Sequence, residues 1–179
     1  MERPIVFLDI DGVLNSKQWY AQDASRKEER NSQPSTDRGL LERSIDPACI
    51  NRLNRLLQRT GAVVIVSSSW RKKHALSEIV SLIEARGFCG EVIGVTPSDE
   101  DTLSRGVEIT SWLKTNVPRG VAYVAVDDEA VTGLPPEVVV VTSRDTGLTD
   151  DDVERAIRIL SQAGEVRTHH DGGDAAALP

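Results

Sequence analysis

Ile5-Val6-Phe7-Leu8-Asp9-Ile10-Asp11-Gly12 is the stretch from which the rest of the chain is read. Four consecutive apolar residues, cut off by acids and a glycine, predict a short buried strand with a polar carboxyl edge. The same shape recurs downstream. Ala62 to Val66 is apolar and runs into Ser67-Ser68-Ser69, and Val121 to Val126 is apolar and runs into Asp127-Asp128. Glu91 to Val95 and Val138 to Val141 supply two more apolar segments. Helical patterns lie between the strands. Asp46-Pro47 opens one, with Ile50, Leu53, Leu56 and Leu57 as its stripe and Gly61 as its stop. A second follows the serine run to about Arg86, with Leu76, Ile79, Val80 and Ile83 on one face. Ser104 to Asn116 is a third, carrying Val107, Ile109, Trp112 and Leu113. The last starts at Thr149, with Asp152 completing a capping box, and ends near Gly164.

Alternating strands and helices, with strands apolar on both faces, predict an α/β fold with a mostly parallel five-stranded sheet covered by helices on both sides. Ligands in such sheets bind beyond the carboxyl ends of the strands. The acids after the first strand, the serines after the second and the acids after the fourth are therefore expected in one cleft.

The chain's 179 residues suit one domain. We expect it to span residues 1–164, with a polar flap at about 15–45 and a small, glycine-rich tail at 165–179 that lacks the apolar content to order itself. A net charge of -7 provides no overall field that would draw the chain to nucleic acid or anionic lipid, although a local patch still has room to bind a strand end. Cys49 and Cys89 lie far apart without CxxC spacing and read as two reduced thiols. The first ten residues lack the length and composition of a signal peptide, and no apolar run reaches the ~20 residues of a membrane helix. A soluble cytoplasmic protein without membrane association is the expectation.

Asp9 and Asp11 would repel one another unless a cation joins them or one is protonated. Asp127 and Asp128 would bring the local charge to about -4, which suits a hard cation with oxygen ligands, Mg²⁺. The competing reading makes the same aspartates turn formers and helix caps. The serine run likewise reads either as an anion site or as simple helix capping.

Phe7-Leu8-Asp9-Ile10-Asp11-Gly12-Val13-Leu14 resembles the first motif of the haloacid dehalogenase (HAD) superfamily, DxDGxL after a hydrophobic strand. Val63 to Ser67 is similar to its second motif, and Val124-Ala125-Val126-Asp127-Asp128 to its fourth. The ordered set covers about residues 4 to 160. Ser67-Ser68-Ser69-Trp70-Arg71, Glu108 to Leu113 and Thr146-Gly147-Leu148-Thr149 further resemble small HAD domains of RNA-repair proteins. The resemblance implies a Rossmann-like three-layer α/β/α fold and a phosphatase. Asp9 would attack phosphorus and form an aspartyl-phosphate. Asp11 would protonate the leaving oxygen and then deprotonate the hydrolytic water. Mg²⁺ would sit on the Asp9 carboxylate, the Asp11 carbonyl and Asp128, with Asp127 as an outer partner. Ser67 would bind a phosphate oxygen, with Gly12, Ser68 and Arg71 nearby. Arg105 would serve as the basic third motif, where superfamily members more often have lysine, with Arg71 and Lys72 as its competitors.

No stretch is long enough for a large cap domain, so the resemblance is to capless members with an open site. The expected substrate is a phosphomonoester, either a small molecule or a nucleotide or polynucleotide end. The alternatives are a small-metabolite phosphatase, closed by oligomerisation, and a non-catalytic module that binds a phosphorylated partner. Trp19 and Tyr20 read as flap packing or as a stacking platform for a base.

Overall fold

The computed structural model describes residues 3–26, 37–98 and 104–168. Strands β1 (Ile5–Leu8), β2 (Val63–Val66), β3 (Val92–Val95), β4 (Tyr123–Asp127) and β5 (Val139–Val141) form one sheet in the order β3-β2-β1-β4-β5. Every pairing is parallel. Side-chain alternation along each strand separates two cores. Val6, Leu8, Val64, Val66, Val124 and Val126 face one core with helices α3 (Pro47–Thr60), α4 (Leu76–Glu84) and α6 (Asp150–Thr168). Ile5, Phe7, Val63, Ile65 and Ala125 face the other, with Ile109 and Trp112 of α5 (Arg105–Asn116). The result is a three-layer α/β fold of Rossmann type. Residues such as Leu53, Ile65 and Ile79 are fully buried, each contributing about 1.5–3 kcal/mol over an exposed position.

The register positions the site. Leu8 pairs with Val66 on one side and Val126 on the other, so β1, β2 and β4 end level. The chain leaves β1 toward β2 on one side and returns to β4 on the other, and this reversal of direction opens a crevice at the carboxyl end of β1.

Local signals set several boundaries as expected. Asp46 Oδ1 accepts the Ala48 amide at 2.8 Å, and Gly61 closes α3. Thr149 and Asp152 exchange the two hydrogen bonds of the capping box, the Asp152 carboxylate accepting from Thr149 N at 2.9 Å and the Thr149 hydroxyl from Asp152 N at 3.3 Å. Cys49 is buried, Cys89 is exposed, and both are free.

Three boundaries differ from expectation. Among its described residues the flap holds two helices, α1 (Lys17–Arg26) and α2 (Asp37–Ser44). Both are mostly polar, and tertiary contacts hold α1: Lys17 N and Gln18 N donate to the carbonyls of Arg144 and Asp145. The serine run does not open α4. A 3₁₀ turn (Ser69–Lys72) begins at its last serine, and α4 begins at Leu76, where the Glu78 carboxylate accepts the Ala75 amide at 3.0 Å. Finally, α6 continues to Thr168, four residues past Gly164. The rest of the expected tail, residues 169–179, lies outside the described residues.

Candidate active site

Asp9 directly follows β1, and the ladder continues around it: Asp9 N donates to Val126 O at 3.0 Å, and Ser67 N to Leu8 O at 2.9 Å. The Asp9 carboxylate accepts the Ile10 amide at 2.8 Å and is 4 % exposed. Gly12 then turns the chain with φ 71°, in the left-handed region that favours glycine. The turn is closed by Asn15, whose Oδ1 accepts Gly12 N at 2.8 Å. The same Asn15 donates through Nδ2 to Asp11 Oδ1 at 2.8 Å, and Trp70 Nε1 donates to Asp11 Oδ2 at 2.9 Å. The two acids therefore part company. Asp9 is sunk among charges, whereas Asp11 stands at the cleft wall, its two oxygens each held by a neutral donor.

Asp127 ends β4 and is 2 % exposed, and its Oδ1 accepts the Glu129 amide at 3.0 Å. Burial pushes its carboxyl above the ordinary carboxylate range; Arg105 pulls it back down and Asp9 adds to the rise. Asp128 pairs with Arg144, which also pairs with Glu129. One oxygen each from Asp9, Asp127 and Asp128 lies within 4.8 Å of the other two. Buried Thr142 ties the two acid loops together, its hydroxyl donating to Gly12 O at 2.8 Å and to Asp127 O at 3.3 Å.

Arg105 reaches this cluster from the first turn of α5, pairing with both Asp9 and Asp127 through one nitrogen. Burial works against its charge, but the two carboxylates outweigh that and hold its pKa above the ordinary value. The start of α5 is clamped. The Ser104 hydroxyl donates to Thr132 O at 2.6 Å, and Gly106 sits so close to that carbonyl that a Cβ would lie 2.3 Å from it.

Asp9, Asp11, Gly12, Arg105 and Asp128 line one cleft, together with Ser69, Tyr20 and Arg144. Three residues read as phosphate contacts sit elsewhere. Ser67 directly follows β2, is 1 % exposed and is not among the residues that line the cleft. Ser68 is fully buried and caps the 3₁₀ turn, accepting Trp70 N at 3.4 Å. In their place Ser69 lines the cleft. Arg71 borders a neighbouring lobe, but its side chain is 4 % exposed and its donors are engaged. They go to Glu108 and to the carbonyls of Ser67, Ser68, Thr96 and Pro97. A guanidinium has five N–H donors, so none is left for a substrate.

Sequence reading missed Asn15, Trp70, Thr142 and Arg144. Asn15 could be suspected only from its place just past the turn glycine, since its side chain reaches back to Gly12 N and to Asp11. Nothing local distinguishes Thr142 or Arg144, since their role depends on the parallel pairing of β5 with β4.

A divalent cation is compatible with the donor set. Three carboxylates converge with oxygen ligands alone, and the cleft carries four acids against three bases among its lining residues. Asp127, the third converging carboxylate, makes the acids five against three bases, and a Mg²⁺ ion would cancel that net -2 and lift the repulsion a phosphate dianion would meet. Among the described residues no helix is long and apolar enough to cross a membrane.

Comparison with curated proteins and with solved structures found no match. A family model described as the HAD domain in Swiss Army Knife RNA repair proteins matches residues 5–153. That family is of phosphatase-type hydrolases, and its match spans the five strands and every acid of the cleft. The chain belongs to this HAD domain family.

Proposed function

We propose that the protein is a Mg²⁺-dependent phosphomonoesterase that works through an aspartyl-phosphate on Asp9 and acts on nucleotide or polynucleotide ends. The observation that carries this reading is the divergence of the two acids of the first strand: Asp9 is buried beside Asp127 and Asp128, and Asp11 is held at the cleft wall by Trp70 and Asn15. A nucleophile and a proton carrier need this difference in environment. Asp9, Asp127 and Asp128 would hold the ion, which when bound supplies positive charge to the phosphate and shields it from the attacking carboxylate.

In the first step an Asp9 carboxylate oxygen bonds to phosphorus as the ester P–O bond breaks, and the Asp11 proton passes to the departing oxygen. In the second, water attacks the phosphorus, its proton goes to Asp11, and the Asp9–phosphorus bond breaks to release phosphate. Arg105 balances charge on the transferring group through both steps, within reach of Asp9. The polynucleotide end as substrate is supported by the RNA-repair setting of the matched family and by the absence of a large cap over the described cleft.

A phosphate-release screen over nucleotides, end-phosphorylated oligonucleotides, sugar phosphates and phosphopeptides tests the reading. Release is expected with Mg²⁺ and should vanish with EDTA. Binding of a phosphorylated ligand without any release would assign the chain to the binding-module alternative.

Gly12 offers a second check on the ion. A Cβ there would lie 2.5 Å from Asp128 Cβ and 2.7 Å from its Oδ2. Gly12→Ala is expected to weaken Mg²⁺ binding at least roughly tenfold, as displaced supporting groups do. It also forces alanine to φ 71°, and strain of this kind costs about 1–3 kcal/mol. Mg²⁺ titration calorimetry and a thermal melt read the two effects separately, and wild-type values in both would contradict the geometry.

A further inference from the structure

The crevice has two lobes of about 430 and 440 Å³ that meet at Ser69, Arg105 and Glu129. Asp9 and Asp11 line the first, which α1 bounds, and neither lines the second, which α5 bounds. Resting on the phosphatase reading above, we propose that the leaving group occupies the α1 lobe and that Tyr20 is the residue that selects it, by offering its ring to a planar heteroaromatic group such as a nucleobase.

The direction follows from proton transfer. The acid that protonates the departing oxygen must lie within hydrogen-bond reach of it. Asp11 is fixed by Asn15 and Trp70 in the α1 lobe, so the ester oxygen and what it carries lie there. Among the described residues, the wall facing that position has one large exposed apolar side chain. Of the exposed large hydrophobic residues described, Tyr20, Leu40, Ile93, Val107 and Val141, Tyr20 alone lines either lobe. It is 46 % exposed and lines the lobe, so part of its ring is accessible to a ligand there.

Tyr20 is also held in place. Its hydroxyl lies near Ser44 and near Asn15, the residue that positions Asp11, and both counteract the rise in its pKa that burial causes. Its helix is anchored at the first turn, where Lys17 N donates to Arg144 O at 2.9 Å and Trp19 N to Ser16 Oγ at 3.1 Å. A rigid aromatic surface binds a flat ring at low entropic cost. Neighbouring Trp19 is committed to packing: its indole donates to Arg43 O at 2.8 Å, and the Arg86 guanidinium sits 5.5 Å from its ring centroid. Of the adjacent pair of aromatics, Tyr20 is thus the one that serves the cleft.

The test compares kcat/KM for adenosine monophosphate and glycerol phosphate in the wild type, Tyr20→Ala and Tyr20→Phe. The wild type is expected to prefer the nucleotide. Tyr20→Ala should cut the ratio of the two constants roughly tenfold, mainly through KM, and Tyr20→Phe should keep it within about twofold, because stacking needs the ring and not the hydroxyl. Adenosine binding by calorimetry should weaken in Tyr20→Ala by a similar factor. An unchanged ratio in Tyr20→Ala, or a wild-type preference for glycerol phosphate, overturns the assignment. Failure to release phosphate from either ester removes the phosphatase reading instead. Adenosine binding then still decides the platform: loss in Tyr20→Ala sustains it, and equal binding ends it.

Discussion

Asp9→Asn is expected to abolish phosphate release, by at least roughly 10⁴-fold in kcat, while the protein stays folded. The amide oxygen of asparagine can still accept the Ile10 amide that Asp9 accepts at 2.8 Å, so the end of β1 keeps its shape. What disappears is the anionic oxygen that would bond to phosphorus. Stability should hold or rise, because the substitution removes one charge from a crowd of three acids while Arg105 keeps its pairing with Asp127. Asp11→Asn is the informative companion. It removes the proton carrier and leaves the nucleophile, and is expected to cost about 10²–10⁴-fold. With Mg²⁺ present and an activated ester whose leaving group needs no proton, Asp11→Asn should still phosphorylate itself, and intact-mass spectrometry should detect the phosphorylated chain. Asp9→Asn should never do so. Full phosphatase activity in Asp9→Asn would sink the mechanism.

How much of this was legible in the sequence depends on where each signal resides. The sheet was, because Ile5–Leu8, Val63–Val66 and Tyr123–Asp127 are nearly continuous apolar runs that only a strand buried on both faces explains. The acids at the mouth were legible because they directly follow those runs, and level strand ends carry them to one place. Helices α1 and α2 were not, since their stability comes from contacts such as Lys17 N to Arg144 O that no local pattern encodes. The start of α4 was misread because a three-serine run looks like a cap, while the operative cap is Glu78 folding back on Ala75. A 3₁₀ turn starts at Ser69 instead, so Ser68 turns inward as its cap and Ser69 lines the cleft. Arg71 was drawn to the phosphate by its charge alone, and only the fold reveals the acid and carbonyls that surround it.

Arg71 accordingly yields the largest expected loss of stability. Its side chain and that of Glu108 are 4 % and 7 % exposed, and the guanidinium joins the loop after β2, the loop after β3 and the first turns of α5. Burial lowers the Arg71 pKa, and Glu108 is the neighbour that counteracts it. Removing one member of a buried ion pair strands the other, at about 3–5 kcal/mol. Arg71→Met also leaves the buried carbonyls of Ser67, Ser68 and Thr96 short of a donor, so the upper end of that range is expected. For a domain of this length the melting temperature should fall by about 10–20 °C. Arg71→Lys restores the charge without the planar fork, and is expected to remain at least ~2 kcal/mol less stable than the wild type. The kinetic signature separates a clamp from a ligand. Glu108 lies one turn beyond Arg105 on α5, so loosening this clamp should misplace Arg105 and depress kcat together with stability. If Arg71 met the phosphate itself, Arg71→Lys would raise KM at a wild-type melting temperature, and the clamp would have to be abandoned.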